Sequence, residues 1–166
     1  MVKIDKAVFD AGPFIHLNEI DELDLIRLFS KIFTTKEILE ECREIEKILR
    51  KFSNIIEENL NFKSKDFAKY LAEEYKLDLG EATGLALCRQ KSIKFFFTDD
   101  LEAREIANVL GFNAHGTIAI ILRSLKEKII DKKETKFLIE KLYKNSSLFF
   151  SRDLFEWAVM EIDNFK

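Results

Sequence analysis

Asp10, Glu41, Glu81 and the pair Asp99-Asp100 are the residues whose positions in this chain suggest chemistry. Asp10 directly follows the apolar run Ala7-Val8-Phe9, and Asp99-Asp100 follow Lys94-Phe95-Phe96-Phe97-Thr98. Such short continuous apolar runs suit strands buried on both faces of a parallel sheet. In open parallel sheets ligands bind beyond the carboxyl ends of the strands, where the strand order reverses. Two strands thus deliver carboxylates to one sheet edge. Pro13 fits the first position of a helix, which makes Gly12 its expected cap. Asp10 then lies too early to cap and is read as functional. Asp99-x-x-Glu102 has the form of a capping box, so Asp99 is expected to cap and Asp100 to face the site.

Glu81 and Glu41 each leave two readings open. Asp78-Leu79-Gly80-Glu81 is also a capping box, and an acid in a first helical turn complements the helix dipole. Yet Ala82, Gly84, Leu85, Ala86, Leu87 and Cys88 leave that helix almost no polar face, so Glu81 serves as a cap or faces a polar cavity. Glu41 falls on the apolar stripe of its helix, three after Ile38 and four before Ile45. An unpaired buried carboxylate is costly, so Glu41 either reaches solvent at the stripe's edge or lines a polar site. If these acids converge, two carboxylates about 4 Å apart repel by roughly 4 kcal/mol at an effective dielectric of about 20. The cluster must then take up protons or bind a cation, and an all-oxygen set suits Mg²⁺ or Mn²⁺. His16 and His115 lack zinc-ligand spacing and are read as packing or surface residues. No Gly-rich phosphate loop or G-x-S-x-G elbow is present, nor support for a Ser-His-Asp or Cys-His mechanism.

The elements that must position these acids alternate. Strands are expected at 7–9, 32–34, 53–57 and 94–98, with a short extended piece at 112–114. Helices are expected at 22–29, 35–52, 64–75, 79–90, 101–110 (stopped by Gly111), 117–126, 133–143 and 154–162. This alternation argues for an α/β fold with a parallel sheet. With 166 residues and no Pro-, Gly- or Ser-rich break, a single domain over 1–166 is expected. Hydrophobic content of 47%, including 16 Phe, is enough for a full core without staples.

Cys42 and Cys88 fall inside apolar helical patterns and read as buried free thiols, in keeping with a reducing cytosol. The opening residues 1–6 are too polar for a signal peptide, and no apolar run spans a membrane, so a cytoplasmic location is expected. A net charge of −3 does not advertise a nucleic-acid binder. The charge is uneven, however: from 123 to 144 the basic residues outnumber the acidic ones, either as a solvated helical hairpin or as a basic patch.

Several segments together resemble the PIN-domain family, in particular its prokaryotic stand-alone branch related to VapC-type toxins. They are Val8-Phe9-Asp10-Ala11-Gly12-Pro13-Phe14-Ile15, Phe33-Thr34-Thr35-Lys36-Glu37-Ile38-Leu39-Glu40-Glu41, Leu79-Gly80-Glu81-Ala82-Thr83-Gly84-Leu85-Ala86-Leu87, Phe96-Phe97-Thr98-Asp99-Asp100-Leu101-Glu102-Ala103-Arg104 and His115-Gly116-Thr117. The resemblance spans about residues 6–122, and the C-terminal helices, about 123–166, also look like this branch. It implies a three-layer α/β/α fold around a parallel sheet with a helical C-terminal tail. It further implies an acidic cluster that binds Mg²⁺ or Mn²⁺ and cuts single-stranded RNA. Carried over by residue, the catalytic acids are Asp10, Glu41, Glu81 and Asp100. The metal ligands are Asp10, Glu81 and Asp100, with Asp99 beside them, and Thr98 supports the last turn. The chain departs from the family at Gly12, where many members have a hydroxyl, and at Thr35, where proline is common.

The resemblance implies hydrolysis by water activated on the bound cation. RNA backbone contacts are expected from Arg104, Arg123 and Lys126, and these would weaken with salt. A homodimer and a small antitoxin partner are expected on the same ground. Two rivals remain: a PIN-like binding module without activity, and another Mg²⁺-dependent phosphoester hydrolase. Against the second, an aspartyl-nucleophile phosphatase usually carries a second carboxylate two residues after the first, and Asp10-Ala11-Gly12 lacks it.

Overall fold

The computed structural model describes residues 4–166, so the first half of the polar opening, residues 1–3, lies outside it. Along the chain come β1 (Lys6–Phe9), α1 (Ala11–Glu19), a 3-10 helix (Leu23–Leu28), β2 (Lys31–Thr34), α2 (Lys36–Glu41), α3 (Glu46–Leu49) and β3 (Ile55–Glu57). Then follow α4 (Phe62–Tyr75), α5 (Leu79–Lys91), β4 (Phe95–Phe97), α6 (Leu101–Val109), β5 (Asn113–His115), α7 (Thr117–Lys126), α8 (Lys132–Asn145) and α9 (Arg152–Asn164). The strands form one parallel sheet in the order β3-β2-β1-β4-β5 with helices on both faces, the three-layer α/β/α arrangement. From β1 the chain builds outward to β2 and β3, then crosses back to place β4 on the other side of β1. The order therefore reverses between β1 and β4, and a crevice opens beyond their carboxyl ends.

Register decides what enters that crevice. Val8 pairs with Phe96 and Phe9 with Phe97, so Asp10 and Thr98 emerge side by side. The Asp10 N–H donates to the Phe97 carbonyl at 2.9 Å and carries the pairing one step past the strand. Below them, on one face, Phe9 packs against Phe14, Phe29 and Phe97 with ring centroids 4.9–5.2 Å apart, all of them buried. Each such aromatic pair adds about 0.5–1.5 kcal/mol beyond area burial, which gives the site a stiff floor. On the opposite face Val8, Phe33 and Phe96 pack under α5. Residues 80–88 of α5 are buried without a break, as their lack of a polar face predicts.

Three local expectations are corrected. The helix expected over 35–52 is two short helices joined by turns at 42–45. Bonds of the i to i+3 kind, such as Ile45 N–H to Cys42 O, keep nearly the same residues per turn. Ile38, Cys42, Leu49 and Phe52 therefore stay buried across the break: the apolar period reports a face, not continuity. The segment 22–29 is a 3-10 helix that buries Leu23, Leu25 and Ile26 and leaves Leu28 only half-buried. Helix α1 begins at Ala11, not after Gly12. Pro13 is tolerated inside its first turn because those N–H groups have no intrahelical partner. Gly111, at φ +83, ends α6 as expected. Both cysteines are free and buried, and burial pushes the Cys42 thiol up to about 12. Among the described residues no helix is long and apolar enough to cross a membrane.

Candidate metal centre

Asp10 holds the N-cap position of α1 but makes no capping bond. Its Oδ2 instead accepts the Thr98 hydroxyl at 2.8 Å, across the β1–β4 crevice. Thr98 Oγ1 also accepts the Asp100 N–H at 3.2 Å, so one hydroxyl ties the ends of both strands together. The second Asp10 oxygen, Oδ1, is buried with no hydrogen-bond partner. Burial pushes the Asp10 carboxyl from 3.8 up to about 6; the Thr98 bond and the neighbouring Ala11 N–H oppose the rise, and the charges of Asp78 and Asp99 add to it.

Glu81 is both of the things its sequence allows. It closes the capping box of α5, with Asp78 Oδ1 accepting the Glu81 N–H at 2.8 Å and Glu81 Oε2 accepting the Asp78 N–H at 2.9 Å. It is also buried, and desolvation raises it from 4.5 to about 7, with Asp78, Asp100 and Asp10 adding to the rise. Glu41, at the end of α2, resolves its two readings jointly. The residue is exposed at the edge of the apolar stripe, yet its carboxylate lies over Gly80. A Cβ at position 80 would overlap Glu41 Oε1, so only glycine permits the approach. Desolvation, then Asp78 and Asp10, raise Glu41 to about 7.

Thr35 draws α2 and α5 together. It caps α2 by accepting the Ile38 N–H at 3.3 Å, and its hydroxyl meets that of Thr83 at 2.9 Å. Thr83 in turn donates to the Gly80 carbonyl at 3.0 Å. The departure from proline at this position thus supplies the bond that sets Glu41 against α5.

The capping role expected of Asp99 falls to its neighbour. Asp100, not Asp99, caps α6, with its Oδ1 accepting the Ala103 N–H at 2.8 Å. The capping box predicted at Asp99 fails because Asp99 is held elsewhere. Its Oδ1 accepts the Thr117 N–H at 2.7 Å, and its Oδ2 accepts the Thr117 hydroxyl and His16 Nδ1–H, each at 2.6 Å. His16 is therefore a hydrogen-bond partner of Asp99 rather than a packing or surface residue. Gly12 and Gly116 leave room for the Asp99 carboxylate: a Cβ at 12 would lie 3.3 Å from Oδ2, and one at 116 would lie 2.6 Å from Oδ1. His115 stacks on Phe95 and Phe97, in line with packing.

Asp78 is the acid that sequence reasoning named only as a cap. Its charge acts on Asp10, Glu41 and Glu81 alike, and its place in the same box as Glu81 is the signal that pointed there. Among the described residues no three acids, histidines or cysteines already form a ligand cage. Mg²⁺ does not need one, because it is commonly held by one or two carboxylates with waters and substrate phosphate. The all-oxygen set and the unbonded Asp10 Oδ1 fit such a cation.

The candidate RNA contacts are spread over α6 and α7. Arg104 on α6 faces a neighbouring cavity. Arg123 is half-buried and pairs with Glu127 at 3.5 Å, and Lys126 is exposed. Within the basic stretch 123–144, Lys136 pairs with Asp163, Lys141 with Asp21 and Lys144 with Glu140, so much of its charge is locally matched.

The family model DUF3368, a PIN domain, matches residues 6–164, nearly the whole chain. No curated protein matches the chain.

Proposed function

This chain belongs to the PIN-domain family, and from that premise we propose that it is a metal-dependent endoribonuclease acting on single-stranded RNA. PIN domains are generally nucleases, hydrolases that use divalent metals. The observation that carries the reading here is Asp10 Oδ1, buried and unbonded among acids whose pKa values are raised toward neutrality. Buried oxygens are seldom left without a partner, and a cation would supply one. Asp10, Glu81 and Asp100 would hold Mg²⁺ or Mn²⁺. When bound, such a cation lowers the pKa of a water and offsets charge on the attacked phosphate.

The remaining work falls to the chain's own groups. Thr98 fixes Asp10 and the backbone at Asp100 through one hydroxyl. Glu41, near 7 and open to solvent, is suited to take a proton at its carboxylate at neutral pH and pass it to water. Asp99 already accepts three hydrogen bonds, so we assign it to positioning. The family resemblance supports a toxin role with a small antitoxin, a homodimer and a cytoplasmic location. Co-purification with a neighbouring gene product and the mass in solution test the first two.

The test of the reaction is cleavage of labelled single-stranded RNA with Mn²⁺ or Mg²⁺ against EDTA, for wild type, Asp10→Asn and Asp100→Asn. Metal-dependent cutting lost in both variants is the expected result. Equal cutting by all three identifies a contaminating nuclease and removes the support. No cutting by wild type, with metal still bound, favours a PIN-like binding module. Turnover of phosphomonoesters without RNA cleavage favours a different phosphoesterase.

A further inference from the structure

A cavity of about 580 Å³ opens beside the acid cluster, and Asp99 forms the wall between them. Its other walls come from α6, the end of β5, α7, the connection from α8 into α9 and the first turns of α9. Two features of these walls lack partners among the described residues. Phe149 is 92% exposed and Trp157 46%, so aromatic faces line the cavity and remain open to solvent. Arg104 lines the cavity, its Nε is buried without a hydrogen-bond acceptor, and it forms no ion pair among the described residues. The local field is positive: burial, then Arg123 and Arg104, hold the His115 imidazole below its usual value.

A guanidinium without a counter-ion calls for an anion, and phosphate fits its fork of donors. Open aromatic faces beside it call for a flat apolar group, and every nucleobase has a face that stacks on them. Asp99 does not oppose the anion strongly, because its oxygens are turned to Thr117 and His16. We propose that this cavity receives one unstacked nucleotide of the substrate strand, its base against Trp157 and Phe149 and its phosphate on Arg104. The nucleotide seated here fixes where the strand crosses the acids, which makes the cavity a positioning and specificity subsite. The inference rests on the RNA reading above for its substrate, but its binding chemistry is independent of cleavage.

Trp157 is the chain's one tryptophan, so fluorescence excited at wavelengths that the three tyrosines do not absorb reports this cavity. The experiment titrates UMP and AMP, with inorganic phosphate as control, into the full-length protein in EDTA. Wild type, Arg104→Gln, Phe149→Ala and Asp10→Asn are compared, with circular dichroism to confirm folding; Phe149 is so exposed that its truncation leaves the fold intact. Saturable quenching by the nucleotides is expected, weakened roughly tenfold in Arg104→Gln and in Phe149→Ala and unchanged in Asp10→Asn. Absence of saturable quenching, or equal quenching in Arg104→Gln, overturns the proposal. Equal saturation by inorganic phosphate overturns its base-binding half, and a response only to an added apolar peptide shows a protein-docking groove instead. Nucleotide binding without RNA cleavage would sink the nuclease reading and leave this subsite standing. Cleavage without nucleotide binding would do the reverse.

Discussion

Asp10 and Asp99 sit at the ends of neighbouring strands, and the structure treats them oppositely. Asp99 accepts three hydrogen bonds from Thr117 and His16 and is flanked by two glycines that make room for it. Asp10 is more deeply buried, yet it accepts one bond from Thr98 and leaves Oδ1 bare. A satisfied carboxylate holds backbone together, in this case α1, α7 and the turn after β4. An unsatisfied one is an unfinished coordination shell and raises the energy of the fold until a proton or cation completes it. The difference separates architecture from chemistry within one sheet edge, and it can be broken from either side.

The largest effect is expected on activity. Asp10→Asn should lower RNA cleavage by about 100-fold or more, as loss of a metal-holding or proton-handling group does. The same change should raise the melting temperature of metal-free protein at pH 8, because it removes a buried charge. A variant that loses activity and stability together would erase the contrast with Asp99.

The next effect is a pH dependence with a definite sign. Asp10 rises from 3.8 to about 6, and Glu41 and Glu81 from 4.5 to about 7. Carboxyls with raised values bind protons more tightly folded than unfolded. Their contribution is therefore complete below about pH 4 and is lost as pH climbs through 6 to 7. Asp10 alone accounts for about 3 kcal/mol, on the order of 5–10 °C. Metal-free protein should melt higher at pH 5 than at pH 8, and Mg²⁺ or Mn²⁺ should restore the loss at pH 8. Scanning calorimetry in EDTA and in MgCl₂ reads both; a flat profile would mean the acids are already satisfied.

Asp99→Asn should act in the opposite way. It weakens the His16 contact and costs about 2 kcal/mol, roughly 4–8 °C, with or without metal. Cleavage at a temperature where the variant is folded should fall by less than about tenfold. A loss as deep as that of Asp10→Asn would return Asp99 to the metal.

The sequence made the sheet edge legible because parallel strands announce themselves as unbroken apolar runs, and whatever follows each run is delivered to one edge. Asp10 and the Asp99-Asp100 pair were readable in that way, while the capping box at Asp78 and Glu81 was readable as a local pattern and Thr98 only through the family resemblance. The shift of the cap from Asp99 to Asp100 was not. A capping box is a local pattern, and it lost to the contacts of Asp99 with His16 and Thr117, 83 and 18 residues away in the chain. The break in the helix over 35–52 was hidden for a related reason: 3-10 turns and α-helix bury nearly the same residues. The cavity at Arg104 had no sequence signal, because its walls come from α6, α7, the α8–α9 connection and the first turns of α9.

Gly80→Ala is expected to have a smaller effect. Alanine in the first turn of α5 favours the helix by up to about 1 kcal/mol, yet its methyl group displaces the Glu41 carboxylate. The melting temperature should stay within a few degrees of wild type while cleavage drops by about tenfold. Unchanged cleavage would remove Glu41 from the reaction.

Gly12→Ser gives the smallest and most discriminating change, because it restores the hydroxyl that many family members carry. Its Cβ would meet Asp99 Cβ and Oδ2 at 3.3 Å. That distance closes only if Asp99 yields by a few tenths of an ångström, and Asp99 is anchored by three bonds. Strain should therefore outweigh the new hydroxyl, with a loss of about 1 kcal/mol and a fall of roughly 2–4 °C. The shift should shrink in the Asp99→Ala background, where the Oδ2 contact is gone and only the Cβ contact remains. If Gly12→Ser instead stabilises the protein in both backgrounds, the hydroxyl has found a partner other than Asp99. Asp10 Oδ1 is the unbonded acceptor in that crevice, so such a result would show that a side chain can complete its shell in place of a cation.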